Sequence, residues 1–248
     1  MADHRKLVAG NWKMNGLRGD AATLAGGLAQ RARAAAGGKR LACDLVVCPP
    51  ATLLAPVRDI IAGSGIALGG QDCHAAPKGA FTGDVSAEML ADIGCTHVIL
   101  GHSERRHGHG ETDAAVRDKT AGAWRAGLVA ILCVGETQAQ RQAGEAVTVV
   151  ASQLAGSIPD GPGRDGLIVA YEPVWAIGSG LSATLDDIAS MHAAIRARLA
   201  PGIRILYGGS VNPTNAAAIL GLADVDGALV GGASLDADSF WAIASHCA

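Results

Sequence analysis

A short, wholly apolar run followed by a longer amphipathic or alanine-rich segment recurs along the whole chain, and that repetition limits the available folds more than any single motif does. Eight runs read as strands: KLVAG at 6–10, DLVVC at 44–48, IALGG at 66–70, HVILG at 97–101, VAILCV at 129–134, LIVAY at 167–171, RILYG at 204–208 and GALVG at 227–231. Each is apolar along nearly its full length, as strands covered on both faces must be. The segments between them carry helix signals. Leu24 and Leu28 stand four apart after Asp20, in an alanine-rich stretch that Gly37 and Gly38 stop. Thr184 and Asp187 have the spacing of a capping box; Ile188, Met191, His192, Ile195 and Leu199 then share one helical face until Pro201 and Gly202 end it.

Strand and helix in alternation imply parallel pairing, and eight units without a break in composition predict closure into one (β/α)8 barrel, a single α/β domain spanning 1–248. An open doubly wound sheet is the structural rival. It would more naturally carry Gly-x-Gly-x-x-Gly after its first strand, and that fingerprint is absent. Apolar residues make up 49% of the chain and charged residues 17%, which excludes a disordered chain. Lys plus Arg total 20 against 23 Asp plus Glu, so a net charge of -3 leaves no global positive field for nucleic acid or an acidic membrane. Any anion site must be local.

The opening MADHRKLVAGNWK is too polar, and its apolar run too short, for a signal or membrane helix. The six cysteines, at 43, 48, 73, 95, 133 and 247, include no Cys-x-x-Cys pair, and free thiols in a reducing cytoplasm are expected. Cys and His are too scattered for zinc, so no metal is predicted. Glycine is abundant, 34 residues against an aromatic share of 3%, which places glycines at special backbone positions.

In an eight-fold barrel the active site is built after the C-terminal ends of the strands, and those positions hold polar residues here. The first strand ends in Asn11-Trp12-Lys13, an amide and an ammonium on the same side of an extended segment. Lys13 could neutralise a phosphate or an oxyanion, although by residue type alone a surface lysine is the default reading. The fourth strand runs into His102-Ser103-Glu104, where backbone N–H groups and a helix dipole would lower the histidine pKa and keep a neutral, hydrogen-bond-donating ring. The alternative is a solvent-facing loop histidine, the reading given to His107 and His109. Glu172 ends the very apolar sixth strand, where desolvation would raise its pKa toward that of a useful base; the alternative is a carboxylate paired with an arginine. Pro173 to Gly180 reads as a lid with a stiff and a free end. Paired glycines after the last two strands, Gly208-Gly209-Ser210 and Gly231-Gly232, suit phosphate binding by backbone N–H groups.

Taken together, NWKMN at 11–15, GAFTGDVSAEML at 79–90, GHSERR at 101–106, ILCVGET at 131–137, YEPVWAIG at 171–178, YGGSVNP at 207–213 and LVGGASL at 229–235 closely resemble the triosephosphate isomerase family. The resemblance implies a TIM barrel that interconverts dihydroxyacetone phosphate and D-glyceraldehyde 3-phosphate through an enediolate, a step of glycolysis and gluconeogenesis, with no cofactor. By position in these strings, Glu172 is the base, neutral His102 the electrophile, Lys13 the electrostatic stabiliser and Asn11 a hydrogen-bond partner of the reacting oxygens. Gly178, Ser210, Gly231 and Gly232 hold the phosphate, while Ser103 and Glu104 support the site, Glu104 near Lys13. Trp175 meets Glu136 when the lid is open, and Tyr207 helps hold it closed. The family also implies a homodimer in which Thr82, at the tip of the loop after the third strand, touches the partner's active site; by composition that loop is equally a surface excursion. A different sugar-phosphate barrel enzyme and a non-catalytic phospholigand-binding barrel are the competing readings, and the joint presence of Lys13, His102 and Glu172 argues against both. The departures lie in the lid's C-terminal hinge. Where the family continues Gly-Thr-Gly-Lys-Thr-Ala-Thr-Pro, this chain reads Gly178-Ser179-Gly180-Leu181-Ser182-Ala183-Thr184-Leu185, which would alter lid opening while sparing the catalytic groups.

Overall fold

A computed structural model describes residues 5–36, 41–160, 163–176 and 182–247. The strands are β1 (Lys6–Asn11), β2 (Cys43–Cys48), β3 (Ala67–Gly70), β4 (His97–Leu100), β5 (Val129–Val134), β6 (Leu167–Tyr171), β7 (Arg204–Tyr207) and β8 (Gly227–Val230). They pair in parallel in chain order, and β1 also pairs with β8, from Leu7 opposite Gly227 to Gly10 opposite Val230. The sheet is therefore a closed barrel of eight parallel strands. Around it, among the described residues, lie α1 (Arg18–Ala36), α2 (Leu54–Ile61), α3 (Ala87–Asp92), α4 (Ser103–Gly108), α5 (Asp113–Arg125), α6 (Gln138–Gln142), α7 (Ala146–Ser157), α8 (Leu185–Arg196), α9 (Ala216–Leu220) and α10 (Ala237–Ala244).

The apolar runs work as expected because each strand buries both faces. Leu7, Ala9, Val46, Ile99, Ile131, Ile168, Ala170, Leu206 and Leu229 fill the barrel interior. Their strand neighbours Val8, Leu45, Val98, Leu132, Val169 and Ile205 face the helices instead. This period-two division needs an apolar residue at almost every position. Closure demands glycine at the seam: a Cβ on Gly227, at φ +147°, would lie 1.8 Å from the Leu7 carbonyl oxygen.

Helix boundaries are close to the sequence reading but shorter in one place. The helix capped by Thr184 ends at Arg196, so Leu199 packs on the core from the following turn. The stop assigned to Gly37 and Gly38 lies outside the described residues, just after α1 ends at Ala36. No helix among the described residues is long and apolar enough to cross a membrane.

Of the hinge departures, Leu181 lies outside the described residues, while Leu185 is the first residue of α8. Thr184 caps that helix from an extended conformation, φ -72° and ψ 160°, and the full capping box with Asp187 is present. The first helical position is where proline is preferred, since its N–H has no acceptor within the helix. The extended backbone of Thr184 also meets the restriction on the residue before proline. Leu185→Pro should therefore raise stability by about 0.5–1 kcal/mol through the unfolded chain. The check is the urea midpoint at unchanged slope; a lowered midpoint would show that the Leu185 N–H or side chain matters more.

Candidate active site

At the C-terminal rim of the barrel, Asn11, Lys13, His102, Glu172, Leu229 and the loops Gly208–Asn212 and Gly231–Ala233 line one cleft of about 390 Å³. Glu172 is placed by the sheet itself. Its N–H donates to Val134 O at 2.8 Å, continuing the β5–β6 ladder one residue beyond the strand. Gly135 makes this possible, because a Cβ there would lie 1.7 Å from the Glu172 carbonyl oxygen. Gly208 likewise leaves room for the Glu172 side chain, whose Cγ would be 2.9 Å from an added Cβ.

Glu172 is 2% exposed, and both its carboxylate oxygens are engaged. Oε1 lies 2.8 Å from His102 Nε2, and Oε2 accepts the Ser103 backbone N–H at 2.9 Å. His102 is the N-cap of α4, and its Nδ1 accepts the Glu104 backbone N–H at 3.2 Å. A nitrogen that accepts an N–H carries no proton, so this contact assigns the proton of a neutral ring to Nε2, facing Glu172. The histidine thus occupies the helix start expected of it.

The pKa directions run opposite to those expected from burial and the helix dipole. Burial works to raise Glu172, yet His102, the Ser103 N–H and Lys13 together hold its carboxyl below the ordinary value. Burial works to lower His102, yet the Glu172 carboxylate raises it. Direct pairing between the two side chains outweighs the environment each strand end provides.

Lys13 reaches the cleft by a different route from the one its spacing suggested. Strand β1 ends at Asn11, and Lys13 adopts a left-handed backbone with φ +52°. Its N–H donates to Asn11 Oδ1 at 3.0 Å, and Gln71 Nε2 donates to the carbonyls of Lys13 and Cys48 at 2.7 and 2.9 Å. Such a conformation costs a non-glycine residue of order 1–3 kcal/mol and persists only where neighbours hold it. Gln71 had no motif to single it out, because its role depends on a contact between distant segments. Lys13 Nζ pairs with Glu104 Oε1 at 2.5 Å, as expected of Glu104.

The glycine-rich end of the cleft is formed by the loops after the last two strands. Gly231 follows β8 and precedes a short 3-10 helix, Gly232–Leu235, so the start of that helix opens onto the cleft beside Lys13. An added Cβ on Gly231 would sit 3.5 Å from Lys13 Cε. Ser210 lies across the cleft, its Oγ donating to Ala176 O at 3.1 Å. Gly178 lies outside the described residues. Trp175 Nε1 donates to the buried Glu136 Oε1 at 2.8 Å, as does Tyr171 Oη at 3.1 Å, and Arg141 stacks on the Trp175 ring while pairing with Glu136 and Asp187. Tyr207 is buried against Gly209, where a Cβ would meet its hydroxyl at 2.2 Å. Thr82 is exposed on its loop. His107 belongs to α4 rather than a loop, its Nδ1 2.8 Å from Ser103 O, and no group of three potential metal ligands occurs among the described residues.

A parallel barrel with a buried carboxylate and imidazole in contact, a lysine beside them and a glycine-lined cleft defines an enzyme that moves protons on a small phosphorylated substrate. The family model described as Triosephosphate isomerase matches residues 6–247. Triosephosphate isomerase of Afipia carboxidovorans is 57% identical over 98% of both chains, and that of Xanthobacter flavus 54% identical over 98% of both. The crystal structure of triosephosphate isomerase from Bartonella henselae superposes with a TM-score of 0.89 at 45% identity, covering 98% of this chain and 99% of that one. The chain belongs to the triosephosphate isomerase family.

The Glu172–His102 contact makes a titration testable. In His102→Gln the imidazole that faces the Glu172 carboxylate is removed and burial remains, so the Glu172 pKa should rise. Carbon-13 NMR of the Glu172 carboxyl in the native protein and the variant measures this directly. The linked stability has the matching sign. In the native protein the depressed carboxyl contributes stability above its unfolded pKa that is lost as pH falls through its folded value. An unmoved or lowered Glu172 pKa in the variant would show that His102 does not set it.

Proposed function

We propose that the family's reaction, interconversion of dihydroxyacetone phosphate and D-glyceraldehyde 3-phosphate, proceeds in this chain with Glu172 moving the proton between the two substrate carbons. The observation that carries the assignment is the buried contact of Glu172 with His102 at 2.8 Å, inside the same cleft as Lys13 and the glycine loops. The phosphate is held by backbone N–H groups at Ser210, Gly231 and Gly232, joined by Gly178. Anchoring it there puts the substrate carbonyl within reach of His102, Lys13 and Asn11.

For Glu172 to take a carbon-bound proton, its carboxylate must leave His102 Nε2 and the Ser103 N–H. That departure removes the largest influences that raise the His102 pKa, leaving Glu104 alone, and burial together with the N–H facing Nδ1 then favours the neutral ring. Neutral His102 donates its Nε2 proton to the substrate oxygen, and Lys13 stabilises the enediolate charge without transferring a proton. Triosephosphate isomerase is itself the standard example of this division between a glutamate base, a neutral histidine and a closing lid. Ser103 and Glu104 hold the acid-base groups in place. Trp175 bonded to Glu136 fits an open lid, and Tyr207 supports the closed one.

We also infer a homodimer of single-domain barrels, acting in the cytoplasm without a cofactor. Met14, 95% exposed, and Leu17, Phe81 and Met89, also exposed, support a partner interface near Thr82 and the start of the cleft. Their apolar surface is costly to leave in water. Sedimentation velocity at micromolar concentration should show a single boundary at the dimer mass.

The decisive assay is isomerisation of glyceraldehyde 3-phosphate by the native protein and by Glu172→Asp. The shorter side chain withdraws the carboxylate by about 1 Å, and a displacement of that size costs on the order of 100-fold in kcat, with KM little changed. Native protein without isomerase activity, or a variant with full activity, would reject the assignment of Glu172.

A further inference from the structure

Strand β5 runs past one of its neighbours at the C-terminal rim. β4 ends at Leu100, opposite Leu132, while β5 continues to Val134 and the chain leads on to Gly135. Along a parallel strand, successive residues turn their backbone groups toward opposite neighbours. Val134 O accepts the Glu172 N–H on the β6 side, so Cys133 and Gly135 face the side that β4 no longer covers. Side chains take the place of the missing strand. Arg106 Nη2 donates to Cys133 O at 3.3 Å, and Gln153, on α7, engages both backbone groups of Gly135. Gln153 Oε1 accepts the Gly135 N–H at 2.7 Å, and Gln153 Nε2 donates to the Gly135 carbonyl at 3.0 Å.

Gly135 is the seat of Glu172. An added Cβ on Gly135 would lie 1.7 Å from the Glu172 carbonyl oxygen. The carbonyls on either side, of Val134 and Glu136, accept the N–H groups of Glu172 at 2.8 Å and Val174 at 3.2 Å. Gly135 itself is buried, has no side chain to anchor it, and belongs to the residue type with the greatest backbone freedom. Without the Gln153 amide its N–H and carbonyl would lose their partners, and a buried peptide left unpaired shifts to find others. The helix delivers that amide reliably, because Gln153 stands between Val150 and Leu154, which are both buried in the core.

We propose that Gln153 is a positioning residue for the proton transfer: by fixing the Gly135 peptide from the helix side, it fixes the backbone that carries the Glu172 carboxylate. The proposal rests on the reading of Glu172 as the base. In that reading the carboxylate gives up His102 Nε2 and the Ser103 N–H during the reaction, so its own side-chain contacts do not hold it through the transfer. The backbone must do so. Gln153 does not line the cleft, whose glycine loops follow β7 and β8. Its loss should therefore lower kcat and leave KM close to native.

Steady-state isomerisation of glyceraldehyde 3-phosphate by three variants tests this. Gln153→Met keeps the length of the side chain and removes both hydrogen-bonding groups; kcat should fall about 10-fold, with KM little changed. Gln153→Glu retains an acceptor for the Gly135 N–H and loses the donor, so its kcat should fall less, and it keeps the test open should Gln153→Met fail to fold. Val150→Ala trims a buried side chain on the same helix; it should lower the thermal midpoint and keep native kcat, which separates positioning from helix stability. Combining Gln153→Met with Glu172→Asp should lower kcat by less than the product of the single losses, since both displace the same carboxylate. Native kcat in a folded Gln153 variant, a change confined to KM, an equal loss of kcat in Val150→Ala, or losses that multiply would each overturn the proposal. Full activity of Glu172→Asp alone rejects the base and this proposal with it, whereas a crippled Glu172→Asp beside a fully active Gln153→Met rejects the positioning role only.

Discussion

Strand β1 hydrogen-bonds on both sides, to β2 and to β8, and that closure governs the rest of the molecule. A closed parallel sheet has no edge, and all its strands point the same way, so every strand end of one kind shares a single rim. Residues as far apart in the chain as Asn11, His102, Glu172 and Gly231 therefore line one cleft without any long excursion of the chain. The placement is also rigid. Glu172 remains in the hydrogen-bond ladder through its backbone, and the absent Cβ of Gly135 lets the strands approach that closely.

With a net charge of -3, the chain gathers an anion only where donors are concentrated. The rim concentrates donors at the start of a short helix at Gly232, at two loops free of Cβ atoms at the glycine pairs, and at the Lys13 ammonium. Lys13 is the only non-glycine residue with a left-handed backbone among the described residues, and the Asn11 amide and Gln71 amide bracket it on either side. A strained lysine held by two amides keeps its charge at the cleft, where a relaxed one on an exposed loop would sample solvent.

What the sequence disclosed was whatever depends on neighbours along the chain. All eight strands are legible because double-sided burial forces an uninterrupted apolar run, and Thr184 with Asp187 is legible because a capping box is complete within four residues. His102 and Glu172 stand out as polar residues at the ends of apolar strands. Their pKa directions were not legible, since burial and a helix dipole belong to each residue's own surroundings while the contact that reverses them joins the ends of β4 and β6. The same limit hid Gln71 and Gly135. The first matters because of a carbonyl on the β1 loop, and the second because of a carbonyl after β6.

The two rims also divide the protein's physical tasks. At the N-terminal rim Asp44 pairs with Arg5 and Arg204, and Lys6 donates to the carbonyls of Leu220 and Val225. These contacts join β1, β2 and β7 to the segment after α9, and involve none of the groups that line the cleft. Strands of four to six residues, rising about 3.3 Å each, separate the two rims by roughly 13–20 Å. Over that span a contact at one rim influences the other mainly through a sheet already fixed by closure.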